Sequence, residues 1–274
     1  MSTRRKIFRW LKVIIIIYCG VGIALYYLQD KIWLHPKKID QDYIFKFDTP
    51  FKEVSIPFSK TDTINLIRFF PADSFRKGVV IYFHGSKENV AYYAKNAKPF
   101  LENGYEVWMP DYPGFGKSSG EFSVIKLYEQ AYQIKKMAES QYRPEQIILY
   151  GQSFGSLLAA DASTTKIKRL ILECPYPSVS KLLDKYTFVY PWKLMSTNKF
   201  DLFRSVWKSD DNFPITVIYG DNGELKCNAF SKEVNNTLNT LSNYKKDFHE
   251  IKKNAEENLI ESKEYKNLID SLLK

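Results

Sequence analysis

The segment that most constrains this chain is QIILYGQSFGSLLAADAS, residues 146–163. An apolar run rich in Ile, Leu and Tyr reads as a buried strand, and Ser-Leu-Leu-Ala-Ala reads as a helix. Between them lies Gly151-Gln152-Ser153-Phe154-Gly155. The chain must therefore turn from strand to helix within a few residues, with Ser153 at the apex of a tight turn. Gly151 and Gly155 keep the space around that turn clear of Cβ atoms. The backbone N–H of Phe154 then points where negative charge would develop on an attacked carbonyl oxygen. Ser153 is thus a candidate nucleophile and Phe154 a candidate oxyanion donor. The plainer alternative is a glycine-rich turn with a capping serine, and the strand-turn-helix context favours the catalytic reading.

The rest of the chain repeats that alternation. Strands are expected over Lys52–Ile56, Thr63–Phe69, Val79–His84, Glu106–Pro110, Gln146–Tyr150, Arg169–Cys174 and Ile215–Tyr219, with a weak last strand at Phe248–Ile251. Helical patterns fall around Asn89–Asn103, Ile125–Ser140, Phe154–Ser163, Ala229–Leu241 and Ile260–Leu273. Strands that alternate with helices require a mostly parallel sheet covered on both faces, which is the α/β class. No internal repeat or low-complexity linker interrupts the run, so residues 40–274 read as one domain.

Ahead of that domain the pattern changes. Val13–Leu28 carries no charge, and residues 10–28 are apolar apart from Lys12. A membrane-spanning helix needs about 20 such residues, and a terminal lysine can snorkel to the interface. Trp10, Tyr26, Tyr27 and Trp33 flank the stretch as interfacial aromatics do. Residues 1–9 form a basic tail and residues 29–39 a juxtamembrane segment. Arg4, Arg5, Lys6, Arg9 and Lys12 precede the apolar core, so the N-terminus is expected in the cytoplasm and the domain on the exported side. No small-residue cleavage site follows the core, which favours an uncleaved anchor over a signal peptide. The same five cations account for much of the net charge of +9, so no nucleic-acid partner is needed to explain it. With three cysteines and three histidines, no metal-ligand spacing occurs, and neither a metal nor a cofactor is expected.

Two further segments agree with the elbow. Val79–Gly85 is a strand ending in His84-Gly85, and the N–H of Ser86 is the expected second oxyanion donor. His84 reads as an ordering residue of that loop. Asp111–Ser118 (DYPGFGKS) builds a turn beside the nucleophile, and Asp111 reads as structural. In order, HG, DYPGFGKSSG, GQSFG and ECPYPS resemble the α/β-hydrolase superfamily, and within it a membrane-anchored group similar to serine aminopeptidase-like hydrolases and protein depalmitoylases. That group also carries a juxtamembrane His-Pro pair, here His35-Pro36. The resemblance implies an α/β-hydrolase fold with an eight-stranded sheet, a Ser-Asp-His triad and a lid between the sixth and seventh strands. The lid would run from about residue 175 to 213 and is rich in aromatics, among them Tyr176, Tyr186, Tyr190, Trp192 and Trp207.

The triad is where the sequence departs from the resemblance. At the expected acid position, after the seventh strand, stands Gly223, with Asp221 and Glu224 as near substitutes. The expected histidine position holds Glu256, followed by Glu257. Of the three histidines, His35 is juxtamembrane, His84 belongs to the oxyanion loop and His249 lies inside the last strand. A base must come within about 3 Å of the serine hydroxyl, which a strand-interior His249 should not do. Two readings follow. In one, Glu256 or Glu257 serves as base to Ser153 in a hydrolase of ester, thioester or amide acyl groups, acting on a small-molecule, lipid-acyl or peptide substrate. In the other, Glu256 is a solvated charge ahead of a helix and the domain is an inactive binding protein. Cys174 and Cys227 follow the sixth and seventh strands on one edge of the sheet, and their pairing is left open. Asn235 opens a glycosylation sequon that matters only in a eukaryotic secretory route.

Overall fold

In a computed structural model, the described residues are 3–73, 75–184, 189–196, 200–207, 212–220, 227–241, 244–251 and 256–274, with the side chains of 207 and 256–258 excepted. They divide into two compact units, Met1–His35 with Val179–Lys199, and Pro36–Ser178 with Phe200–Lys274.

The first unit is built on one helix, α1 (Thr3–Trp33), whose best 18-residue window has a mean hydropathy of 2.1. By length and composition it can cross a membrane, and it is the one such helix among the described residues.

The second unit is an eight-stranded sheet. Its strands are β1 (Phe51–Pro57), β2 (Thr63–Phe69), β3 (Gly78–Phe83), β4 (Tyr105–Pro110), β5 (Ile147–Gln152), β6 (Arg169–Glu173), β7 (Ile215–Gly220) and β8 (Lys246–Ile251). Their spatial order is β8-β7-β6-β5-β3-β4-β2-β1. Strands β3 to β8 run parallel, whereas β1 and β2 form an antiparallel hairpin added to β4. Every residue of β3, β4, β5 and β7 is buried, as expected of strands sandwiched between two helix layers. Each expected strand is present within a few residues of its expected ends. The parallel sheet with crossover helices is the α/β architecture the alternation requires.

The helices correct one expectation. The continuous helix expected over Asn89–Asn103 is two short pieces, α2 (Val90–Tyr93) and α3 (Lys98–Glu102), joined by a 3-10 turn over Ala94–Ala97. Pro99 is the physical reason. It lacks an N–H and its ring would strike the carbonyl four residues back, so it is tolerated only in the first turn of a new helix. The Asn89 side chain caps α2 by accepting from the N–H of Ala91. Around the sheet also lie α4 (Val124–Glu139), α5 (Gly155–Ala162), α9 (Cys227–Leu238) and α10 (Lys263–Leu273). Between β6 and β7 the described residues form three short helices, α6 (Val179–Asp184), α7 (Trp192–Met195) and α8 (Leu202–Trp207). This is where the lid was expected.

Candidate active site

Strand β5 lies at the middle of the sheet, between β3 and β6, and its C-terminal end delivers Ser153. Ser153 has φ +54°, left-handed backbone that a residue with a Cβ adopts only under local constraint. The constraint is close packing. A Cβ on Gly151 would stand 2.5 Å from the carbonyl oxygen of Gly155, and one on Gly155 would stand 2.0 Å from that of Phe83. Helix α5 can therefore start directly against β3, and its first residues press the turn shut. The N–H of Ser153 donates to the carbonyl of Glu173 at 2.8 Å, and Ser153's own carbonyl accepts from Ser156. The hydroxyl of Ser153 hydrogen-bonds no other described residue.

The turn after β3 borders Ser153. A Cβ on Gly85 would lie 3.9 Å from the Cβ of Ser153 and 2.7 Å from the Tyr93 hydroxyl. Ser86 follows immediately, and its N–H donates to no described residue. The structure thus brings together Ser153, Phe154 and the Gly85-Ser86 turn. The expected acid and base are another matter. Asp221, Gly223 and Glu224 lie outside the described residues. Glu256 opens a 3-10 helix, Glu256–Glu261, and its side chain lies outside them too.

Two histidines can be placed exactly enough to decide their roles. His249 on β8 faces Ile218 on β7, which faces Glu173 on β6, which faces Gln152 on β5. It therefore sits three strand spacings, about 14 Å, to the side of the elbow. That is beyond the reach of an imidazole, as expected. His84 is fully buried between the rings of Tyr112 and Tyr93, whose centroids lie 4.1 and 5.0 Å from its own. Its Nδ1 is 2.8 Å from the Gly85 carbonyl, and its Nε2 faces Asp111 Oδ1 at 3.7 Å. Burial pulls the His84 pKa down to about 4, and burial pushes that of Asp111 up to about 7. A neutral His84 that donates through Nδ1 leaves Nε2 as an acceptor facing the Asp111 carboxyl. Asp111 also accepts from the N–H of Val90 at 2.8 Å, and Tyr112 donates to the His84 carbonyl at 2.6 Å. Both residues therefore order the loop that follows β3.

Beneath the elbow lies a polar cluster that sequence reasoning missed. Glu173, 1% exposed, ends β6. Its carboxylate accepts from the Gln152 amide at 2.9 Å and from the Tyr150 hydroxyl. Tyr150 meets the Tyr265 hydroxyl of α10 at 2.7 Å. Tyr82 donates to the Gln152 carbonyl oxygen and accepts from Asn96, both at 2.8 Å. Burial and the Glu173 charge raise the pKa of all three phenols, so they remain donors. The available signal was a glutamate directly after the apolar run Leu-Ile-Leu of the strand RLILE. Next to it, Cys174 is disulfide-bonded to Cys227, the first residue of α9, which closes the question of their pairing.

A central serine elbow on this strand order defines a class. The chain has the α/β-hydrolase fold. Residues 75–206 match the family model of serine aminopeptidase, S33. The mimivirus protein R595 is 28% identical over 184 residues, 58% of this chain and 61% of that protein. YfhR of Escherichia coli K12 is 26% identical over 148 residues, 50% of this chain and 52% of YfhR. Human alpha/beta hydrolase domain-containing protein 17C is 34% identical over 119 residues, 42% of this chain and 34% of that protein. The chain thus matches between a third and three fifths of the length of these relatives. Among solved structures, an alpha-beta hydrolase of Vibrio vulnificus superposes with a TM-score of 0.67 at 17% identity, covering 81% of each chain. The Pyrococcus furiosus esterase Pf2001 gives 0.61 at 18% identity, covering 88% of this chain and 97% of the esterase.

Proposed function

We propose that this protein is a membrane-anchored serine hydrolase that cleaves ester, thioester or amide acyl groups, with Ser153 as nucleophile. The single observation that carries the reading is the strained Ser153, at φ +54°, with a hydroxyl that no described residue engages. Its neighbours fit the role. The N–H groups of Phe154 and Ser86 are the oxyanion donors, and the Gly85 turn borders the space where a substrate carbonyl would sit. With His84 turned to the loop and His249 about 14 Å away, the base is a carboxylate, Glu256, and the acid is Asp221 or Glu224. A carboxylate base works at lower pH than histidine, because it is ionised above the ordinary carboxylate range. Residues 10–28 anchor the enzyme in a bilayer, with the N-terminus cytoplasmic and the hydrolase unit on the exported side.

The same histidine placement favours a second reading, a binding protein that keeps the elbow for its fold. Loss of one triad member leaves roughly 10³–10⁴-fold rate enhancement over water. A fluorophosphonate probe applied to the detergent-solubilised full chain between acidic and neutral pH separates the two. The hydrolase predicts labelling that disappears in Ser153→Ala, persists in His249→Ala, and rises with pH through an acidic midpoint. A folded chain that stays unlabelled at every pH, beside a labelled relative, establishes the binding protein instead.

A further inference from the structure

The insert between β6 and β7 does not pack as a lid alone: part of it belongs to the anchor's unit, together with α1. The contact is specific. The rings of Tyr18 and Tyr190 stack with centroids 4.7 Å apart and planes 9° from parallel. Their polar ends are exchanged, since the Tyr18 hydroxyl donates to the Val189 carbonyl and the Tyr190 hydroxyl donates to the Tyr18 carbonyl, both at 3.0 Å. One turn further along α1, Gly22 leaves room for the ring. A Cβ there would stand 3.0 Å from Tyr190 Cε1. Between helix and insert runs an apolar cleft of about 640 Å³, lined by Tyr18, Gly22, Ile23, Tyr26, Tyr190 and Met195.

Tyr18, Gly22 and Tyr26 lie four residues apart on one face of α1, within the uncharged stretch Val13–Leu28. At about 1.5 Å per residue, Tyr18 is about 9 Å along the axis from Lys12, the nearest charge on its N-terminal side. When this stretch crosses a bilayer, whatever packs on it at these positions is in hydrocarbon as well. We infer that the segment Val189–Met195 is a second membrane-embedded element of this protein, docked on α1, with lipid acyl chains covering its outer face and filling the cleft. The inference rests on the proposed anchor and adds a second contact with the bilayer.

The segment is built for that medium. Its outward residues are apolar apart from Lys193, with Leu194 85% exposed and Val189 55% exposed. Lys193 is exposed beside them, on a stem long enough to reach the interface. Three of its backbone donors, and that of Ser196 just beyond it, are satisfied within the segment. Trp192 donates to Tyr190, Leu194 and Met195 to Pro191, and Ser196 to Trp192, while Pro191 has no N–H to satisfy. The exchanged hydrogen bonds give the two phenols and the two carbonyls a partner each.

Fluorescence depth measurements on the reconstituted full chain test this. Cys19 is the one free thiol, since Cys174 and Cys227 are bonded to each other. An environment-sensitive fluorophore is placed at Cys19 in the natural chain, and at position 194 in a Cys19→Ser, Leu194→Cys chain. Both are reconstituted into phosphatidylcholine–phosphatidylglycerol vesicles. The expected result is blue-shifted emission at both sites, quenched by lipids with a nitroxide on the acyl chain and shielded from aqueous iodide. Iodide quenching at 194 with lipid quenching kept at 19 overturns the embedded segment and leaves the anchor standing. Iodide quenching at both sites overturns the anchor and this inference with it.

Discussion

At the end of β4, Asp111 is held mostly protonated below pH 7, while His84 beside it is held neutral above pH 4. In the unfolded chain the proton sits on the other partner, because free Asp ionises near 4 and free His near 6.5. Between about pH 4 and 6.5 the folded and unfolded pair therefore bind the same number of protons, and the pair adds no slope to stability. Taken singly, the two groups act in opposite directions. The raised Asp111 pKa costs stability as pH climbs from about 4 to 7, and the lowered His84 pKa costs stability as pH falls from 6.5 to 4. Asp111→Asn removes the first effect and leaves the second. Between pH 4 and 7 the variant should gain about 4 kcal/mol relative to the natural chain, read from urea midpoints across that range. A constant difference between the two chains would mean that Asp111 ionises normally when folded.

At the scale of elements, the disulfide joins the end of β6 to the start of α9 across 53 residues. Closing a loop of that length restricts the unfolded chain by about 4 kcal/mol in the chain-entropy account. The Cys174→Ser, Cys227→Ser double variant should lose that much in denaturant unfolding, and reductant should leave its midpoint unmoved while lowering that of the natural chain. This bond was not legible in the sequence. Two cysteines on one sheet edge pair only when the loops bring their Cα atoms together, here to 5.1 Å, and spacing carries no such information. The elbow was legible because its cause is local, a strand, two glycines and a helix within 18 residues. Glu173 was not, because a strand-end carboxylate reads as solvent-facing until the Tyr150, Gln152 and Tyr265 partners are placed from two other elements. The split between α2 and α3 lay between these cases. Pro99 marks a break in plain sight, yet the apolar spacing on either side continues a helical pattern.

For the whole molecule, the proposed anchor and the disulfide make one claim about compartment. Disulfides persist on the oxidising side of a membrane, and in the proposed topology the five cations in the first turns of α1, ahead of its apolar core, hold the N-terminus on the other. A chain shortened to begin at residue 36 should stay in the reducing cytoplasm, and both remaining thiols should then react with an alkylating reagent. The full chain should show one reactive thiol, Cys19, counted by mass after denaturation without reductant. Three reactive thiols in the full chain would place the domain on the reducing side. The shared unit of α1 and the insert also belongs to this scale. Tyr18 and Tyr190 are 172 residues apart, so no local pattern announces their contact.

The bond between Cys174 and Cys227 brackets all three helices of the insert. A protease that cuts anywhere inside that bracket opens the chain without parting it. The product would be a two-chain molecule whose elbow strand and last two strands remain covalently tied, and whose fragments separate on a gel only after reduction.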